Sequence, residues 1–447
     1  MQTIRKQDAK VAALTGKQQT EEGLPLRITE HSVTVPCEEG TLLFHCMTKE
    51  LLLLSGQEMN SLMTDASLRE LLAEKWFLVP DGFSEKQFAD EVRSAMEVMN
   101  PPAKKLTVFT IYPTTDCNAR CFYCYELGRR RLMMSEETAH EAASFIAGRS
   151  GGEQVTLRWF GGEPLFNRNV IDIITGDLRK AGIPFLSKMI SNGLLFDRET
   201  VLKARSQWNL KDIQITLDGT EEVYNRTKAY VGFEGSPYLQ VMRNIELLLE
   251  EGVNVDIRLN MDRKNAGDLI ALVDELGSGF GRYPGFHVYC ALLRNWGARN
   301  AFSSYEEAIT RFGEIQEKLV LHGIERKYGL SQAYSTVNCI ADNDAAVTIL
   351  PDGHLGKCEH ESDTGFIGSL REGIVNKEAA DAYKVRRDEI PACEHCRHYP
   401  GCITPKICAD ISEGCTELRR SMADFALKSK IINTYKAYRS KTEEEKN

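Results

Sequence analysis

The chain has 447 residues, 42% of them hydrophobic and 27% charged, with a net charge of −9 at neutral pH. That length holds two or three domains of the usual ~100–200 residues, and the composition excludes wholesale disorder. An acidic balance without a long basic run excludes nucleic acid or an anionic membrane as the main partner, since both need clustered Lys and Arg.

In chain order, residues 1–25 read as a flexible polar tail. It lacks the apolar middle of a secretory signal, and no later stretch is apolar enough to span a bilayer, so the expected location is cytoplasmic with no membrane contact. Residues 26–100 form a first unit. LRITEHSVTV and TLLFHCMT have strand character, SLRELLAEKW and FSEKQFADEVRSAMEVM have helical apolar spacing, and Pro101-Pro102 close the unit. From 106 to 300, apolar β-branched runs (LTVFTIYP, QVTLRWF, FLSKMIS, DIQITL, NVDIRLN, FHVYC) alternate with helices expected at 135–149, 168–182, 197–208, 236–251 and 265–277. Ser135 before Glu136 and Glu137 has the form of an N-cap with an acidic first turn. Six strand–helix units predict an α/β fold, either a partial barrel or a doubly wound sheet, with ligands at the C-terminal strand ends. A helical bridge follows at 301–338, then a cysteine-rich, loop-rich domain at 339–415, then a helix and tail at 416–447.

Thirteen cysteines in a reducing compartment point to metal rather than disulfides. Cys37, Cys46 and Cys290 stand apart as plain thiols. After the first barrel strand comes Thr114-Thr115-Asp116-Cys117, then Asn118-Ala119-Arg120-Cys121-Phe122-Tyr123-Cys124. Thiolates suit iron–sulfur clusters and zinc. A [4Fe–4S] cluster normally takes four, so three within one loop leave an iron open. Structural zinc favours paired C-x2-C units with four protein ligands.

This C-x3-C-x2-C loop, with Tyr123 before its last cysteine, resembles the signature of the radical S-adenosylmethionine superfamily. The resemblance implies a [4Fe–4S] cluster on Cys117, Cys121 and Cys124 whose open iron binds S-adenosylmethionine. It also implies cleavage of that cofactor to a 5′-deoxyadenosyl radical, hydrogen abstraction from substrate, and a reducing electron donor such as flavodoxin or ferredoxin. Gly161, Gly162, Glu163 and Pro164 after the second strand match the family's GGEP motif, which receives the methionyl amino group. Glycines let a ligand approach the backbone and a carboxylate pairs with an ammonium. Ser191-Asn192-Gly193 ends the third strand, and Ser191 is expected near the ribose. Leu217-Asp218-Gly219 ends the fourth. Lys228 occupies the place of a family Arg that pairs with the methionyl carboxylate, though Lys is a point charge rather than a fork. Arg258 and Asn260 end the fifth strand, toward the same site. For Arg258 a structural salt bridge is the competing role.

Seven further cysteines are Cys339, Cys358, Cys393, Cys396, Cys402, Cys408 and Cys415. Their spacing resembles the SPASM domain, an appendage of radical enzymes that act on peptides and proteins, and implies two auxiliary [4Fe–4S] clusters. By position Cys339, Cys358 and Cys408 take the first, and Cys393, Cys396, Cys402 and Cys415 the second. Five residues separate Cys402 from Cys408, where the pattern has fewer, and no cysteine follows Cys339 closely. The first auxiliary cluster therefore has three evident thiolates, with Asp342 or a substrate thiolate as candidates for the fourth place. A zinc-ribbon-like module on Cys393, Cys396, Cys402 and Cys415 is the alternative. His395 and His398 read as surface residues.

Residues 26–100 resemble the winged-helix-like α+β domains of peptide maturases, which bind a leader by adding a strand to a sheet edge. A plain structural cap is the alternative. The reading is a partial (β/α)6 barrel with a peptide-maturase activity on a precursor peptide with leader, installing a thioether or other crosslink. A formylglycine-forming sulfatase maturase is the second reading, and a non-catalytic iron–sulfur carrier or redox sensor the third.

Overall fold

The computed structural model describes residues 1–7, 11–13, 25–99, 101–293, 302–326, 330, 339–360, 365–383, 393–402 and 417–444. Cys408, Cys415 and much of the expected bridge at 301–338 lie outside the described residues.

The first unit is built on β1 (Gln2–Arg5), β2 (Leu26–Ile28), β3 (Ser32–Cys37), β4 (Gly40–His45) and β5 (Leu51–Leu54), followed by α1 (Gly56–Ser61), α2 (Ala66–Glu74), β6 (Leu78–Pro80) and α3 (Glu85–Met99). It is an α+β unit, with an antiparallel sheet in the order β1-β5-β4-β3 and a small β2-β6 pair. Side chains alternate across a strand, so this sheet buries both faces. Leu42, Phe44, Leu51 and Leu53 pack on Ile431 and Tyr435 from the C-terminal helix. Leu43, Leu52 and Leu54 pack on Leu62, Leu68 and Leu72. LRITEHSVTV does not run as one strand. It breaks at Thr29 and Glu30, because the buried Glu85 carboxylate takes hydrogen bonds from the Thr29 hydroxyl and, at 2.9 Å, from the Glu30 amide.

The second unit is β7 (Val108–Thr114), α4 (Glu136–Ser150), β8 (Val155–Gly161), α5 (Arg168–Lys180), β9 (Phe185–Ser191), α6 (Arg198–Ser206), β10 (Leu210–Leu217), α7 (Glu221–Lys228), α8 (Pro237–Glu250), β11 (Asn254–Met261), α9 (Ala266–Phe280) and β12 (Phe286–Leu292). The six strands pair parallel in chain order. Phe109 and Ile111, Leu157 and Trp159, Ile213 and Ile215, Ile257 and Leu259 turn to the helices and are buried. Their neighbours Thr110, Arg158, Lys188, Asp212, Gln214, Asp256 and Arg258 take the opposite, inner face. The helices begin on side-chain caps: Ser135 accepts from the Thr138 amide, Asp197 from Thr200 and Ser236 from Leu239.

After α10 (Tyr305–Leu321) come β13 (Ala346–Ile349), β14 (His354–Gly356), β15 (Gly368–Ser369), β16 (Gly373–Ile374), α11 (Lys377–Asp381) and α12 (Glu417–Glu444). The cysteine-rich region is therefore not only loop. β13 pairs parallel with β7, Thr348 opposite Thr110, and extends the barrel sheet beyond its first strand. Loops carrying Cys339 and Cys358 flank β13 and β14 and are thereby tied to the strand that leads into the first cysteine loop. No helix among the described residues is long and apolar enough to cross a membrane.

Candidate active site

β7 ends at Thr114 and the chain leaves in a long loop that returns alongside itself. Thr115 donates its amide to the Leu132 carbonyl at 2.9 Å and its hydroxyl to the Arg130 carbonyl at 2.8 Å. Cys117, Cys121 and Cys124 lie within this pinned loop, all partly exposed, with the Cys124 amide donating to the Cys121 carbonyl at 3.1 Å. Burial pushes the Cys117 thiol up to about 12, and raises Cys121 and Cys124 as well. Thiols in that state become ligands only when a cation compensates the thiolate, and a metal held there would supply that cation. Among the described residues no three His, Cys, Asp or Glu side chains close on one point as a single metal ion would require.

Gly161 and Gly162 are required by the protein's own backbone. A Cβ on Gly161 would stand 2.3 Å from the Thr114 carbonyl oxygen, and on Gly162 2.1 Å from that of Asp116. Gly161 also has φ +112°, which favours glycine. The close approach locks the turn to the cysteine loop, with the Gly162 amide on the Thr114 carbonyl at 3.1 Å and the Glu163 amide on Asp116 at 2.9 Å. Glu163 is fully buried. Its carboxyl accepts from the Ser191 hydroxyl at 2.9 Å, the Asn192 amide at 2.8 Å and the Leu165 amide at 3.2 Å. Burial outweighs those donors and raises it to about 7. Pro164 opens a short 3-10 turn, Pro164–Asn167. Ser191, expected beside the ribose, thus spends its hydroxyl on Glu163. Asn192 reaches the cysteine loop instead, donating to Asn118 Oδ1 at 2.7 Å with Cys117 Sγ at 3.8 Å. Asn118 was not singled out in the sequence, although it directly follows Cys117.

The ends of β10 and α7 meet the loop from the other side. The Tyr123 hydroxyl donates to Asp218 at 2.7 Å, Lys228 Nζ donates to Tyr123 at 3.0 Å, and Lys228 lies 3.0 Å from Asp218. Burial opposes the Lys228 charge, but the Asp218 carboxylate beside it holds its pKa well above the ordinary range. Lys228 is therefore paired with Asp218 at this edge of the site. Arg258 donates from Nε to Asn260 Oδ1 at 2.9 Å. Among the described residues it has no carboxylate within salt-bridge distance, so the competing structural salt bridge is not seen there.

Below these groups the inner barrel face lines an open cavity of about 810 Å³ bordered by Arg158, Lys188, Asp212, Asp256, His287 and Arg326, among others. Its charges are paired: Lys188 with Asp212 at 2.9 Å and Arg326 with Asp256 at 3.4 Å. Arg158 pairs with Glu359, whose carboxyl burial pushes up. Glu359 follows Cys358. The next residue, His360, packs its ring 4.3 Å from Tyr125 of the cysteine loop and accepts Arg129 Nη2 at its carbonyl, 3.1 Å away. The segment Cys358–His360 thus joins the first cysteine loop to the barrel interior. None of Tyr125, Arg158, Glu359 or His360 was marked in the sequence. A charged residue mid-strand in QVTLRWF was the available signal.

Cys339 and Cys358 share a local geometry with Cys117. Each sulfur accepts the amide two residues on: Ala119 at 3.4 Å, Ala341 at 3.2 Å and His360 at 3.3 Å. Such bonds favour a charged sulfur. Asp342 turns to the Cys339 amide at 2.9 Å. Cys393 and Cys396 lie in a turn packed on Ala89, Val92 and Met96 of α3, and Cys402 is partly exposed. His395 is exposed beside Glu30, and His398 meets Asp424 at 2.7 Å.

Residues 111–276 match the family model of the Radical SAM superfamily. The match spans β7 to α9 and includes the cysteine loop, the Gly-Gly-Glu-Pro turn, Asp218, Lys228 and Arg258. Fe-coproporphyrin III synthase of Methanosarcina barkeri is 24% identical over 163 residues, 36% of this chain and 39% of that protein. A probable GTP 3′,8-cyclase of Thermococcus kodakarensis is 24% identical over 310 residues, 63% of this chain and 94% of that protein. Among solved structures, native anSMEcpe with bound AdoMet and Cp18Cys peptide superposes with a TM-score of 0.57 at 17% identity, covering 75% of this chain and 99% of that one. The likeness in structure is one of fold. Over residues 111–276 the chain is thus similar to the radical SAM superfamily, a likeness that implies a [4Fe–4S] cluster and S-adenosylmethionine.

Proposed function

We propose that this radical SAM domain serves a peptide maturase, with Cys117, Cys121 and Cys124 as ligands of the radical cluster and the remaining C-terminal cysteines as ligands of auxiliary clusters. The observation that carries the reading is the Cys358–His360 segment, whose His360 ring packs at a tilt against Tyr125 of the cysteine loop and whose Glu359 pairs with Arg158 in the barrel. It brings a second thiol segment beside the same cavity, as an enzyme handling electrons or a substrate thiolate next to its reacting atom needs. The peptide bound to the anSMEcpe fold neighbour supports the substrate class. An α+β unit on the N-terminal side supports recognition of a leader.

In this reading the cluster and S-adenosylmethionine supply the radical that takes a hydrogen atom from substrate. The chain's own groups hold and orient. Glu163 receives the methionyl ammonium, with Ser191 and the Asn192 amide fixing its oxygens. Asn192 and Asn118 hold Cys117. Asp218 and Lys228 fix Tyr123 between the second and third cysteines. Arg258 is the cation left for a carboxylate of cofactor or substrate. The polar cavity receives a short peptide segment.

Anaerobic co-expression with a small peptide encoded beside the gene tests this. The expected product has lost two hydrogens per modified site, and Cys117→Ala abolishes the change. An unmodified peptide would remove the crosslink reading for that peptide. A second reading, cyclisation of a purine nucleotide, has support in the length over which the T. kodakarensis cyclase aligns. Turnover of GTP by the same preparation would establish it.

A further inference from the structure

Resting on the reading of Cys339 and Cys358 as ligands, we infer that Lys357 is the positioning residue of the auxiliary centre they hold. Its buried ammonium clasps the two thiol-bearing segments together and raises the potential of the centre.

The two segments meet through the hairpin of β13 and β14. Cys339 caps a single 3-10 turn, Ile340–Asp342, which ends at Asn343, and Ala346 then opens β13. β14 returns antiparallel, Gly356 opposite Thr348, and runs directly into Lys357 and Cys358. Lys357 is 5% exposed. Its Nζ reaches back across the hairpin and donates to the Asn343 carbonyl at 2.6 Å and to the Ala346 carbonyl at 2.9 Å. Those oxygens stand at the end of the Cys339 turn and at the start of β13. The Asn343 carbonyl also accepts the Ala346 amide at 3.0 Å, and Asn343 Oδ1 accepts the Ala345 amide at 2.9 Å, so the acceptors are held in place by their own turn. The Ala345 carbonyl takes the Thr107 and Val108 amides at 2.9 and 3.0 Å, which fastens the same turn to the start of β7. One side chain therefore fixes Cys358 against the turn that carries Cys339.

A neutral side chain could also bridge two carbonyls. A buried ammonium costs more desolvation than such a bridge does, and what it adds is a fixed positive charge one residue from a sulfur. Both sulfurs are already arranged to carry negative charge, Cys339 accepting the Ala341 amide and Cys358 the His360 amide. The acids on either side are engaged. Asp342 directs Oδ1 to the Cys339 amide at 2.9 Å, and Glu359 pairs with Arg158. An electron added to an iron–sulfur centre makes it more negative, so a cation held beside it favours the reduced form.

The test is a redox titration. Wild type and variants are reconstituted anaerobically with iron and sulfide, and the auxiliary signal is followed against potential by electron paramagnetic resonance. Iron per chain and S-adenosylmethionine binding are measured on the same samples. In Lys357→Gln, which keeps a donor and loses the charge, the auxiliary midpoint should fall by about 59 mV, a tenfold lower ratio of reduced to oxidised centre at fixed potential. Lys357→Arg should return it toward wild type. Lys357→Met, which loses the carbonyl bonds as well, should lose up to about four iron atoms per chain and still bind S-adenosylmethionine. A wild-type midpoint in Lys357→Gln, or full iron in Lys357→Met, would overturn the inference and leave the ligand reading intact. Should Lys357→Gln hold no auxiliary centre to titrate, recovery of that iron in Lys357→Arg supports the clasp and its absence overturns it. Iron content unchanged by Cys358→Ala would remove the ligand reading, and the role of Lys357 with it.

Discussion

The Tyr123 hydroxyl and the Asp218 carboxylate, 2.7 Å apart, join the cysteine loop to the end of the fourth barrel strand. Lys228 neutralises the pair, and its side chain and that of Asp218 are only 4% and 1% exposed. Breaking such a buried pair from one side leaves an uncompensated charge, at a cost of about 3–5 kcal/mol. Lys228→Met and Asp218→Asn should therefore each lower the thermal midpoint strongly. The double variant should lose less than the sum, because it leaves no bare charge. Additive losses would show that the two side chains are stabilised independently.

Gly162 predicts a steric effect that is separable from chemistry. A methyl there meets the Asp116 carbonyl oxygen at 2.1 Å, and backbone cannot swing aside as a side chain does. Gly162→Ala should push the Gly-Gly-Glu-Pro turn off the cysteine loop and lower iron per chain after reconstitution. Gly267→Ala is the control. It sits in α9 with nothing within 4 Å of the added Cβ, and should be neutral or up to about 1 kcal/mol more stable. Equal iron content in both variants would refute this.

Glu163 gives the pH dependence. Burial raises its carboxyl to about 7, and only the ionised form offers charge to an ammonium. Above pH 7 the carboxylate is in place. As pH falls below 7 it takes up a proton, and S-adenosylmethionine affinity should drop by up to about tenfold per unit. Equilibrium binding between pH 5.5 and 7.5 checks the slope. Glu163→Gln should bind more weakly and with a flat profile. A sloping profile in that variant would assign the titration elsewhere.

The barrel was legible because its signals are local. Six apolar runs fall within two or three residues of the observed strands, and FLSKMIS coincides with Phe185–Ser191. The cysteine loop was legible from spacing alone. What escaped is what depends on long-range pairing. β13 joins β7 across more than 200 residues, and nothing in AVTI says which edge it will find. The glycines of the Gly-Gly-Glu-Pro turn were read as room for a ligand, yet the atoms that fill their space belong to Thr114 and Asp116. Lys228 carries the charge the motif led one to expect, but its partner is Asp218, ten residues away in sequence and close only because α7 folds back. Asp342 is a candidate ligand on sequence position, and its Oδ1 closes a turn on the Cys339 amide.

The amide-to-sulfur bonds at Cys339 and Cys358 lead to the last prediction. In both, the amide two residues on points at the sulfur, as it does at Cys117. A donor so placed stabilises a thiolate over a thiol, and a thiolate is the form that binds iron. If these two sulfurs hold an auxiliary cluster, Cys358→Ala should lower bound iron by up to about four atoms per chain while S-adenosylmethionine still binds, since the first loop is untouched. Cys339→Ala should do the same, and Cys117→Ala should abolish S-adenosylmethionine binding. Iron analysis with electron paramagnetic resonance of the reduced proteins separates the centres. Wild-type iron content in Cys358→Ala would remove that residue from the ligand set. The contact of His360 with Tyr125 would then be what ties this segment to the first cysteine loop.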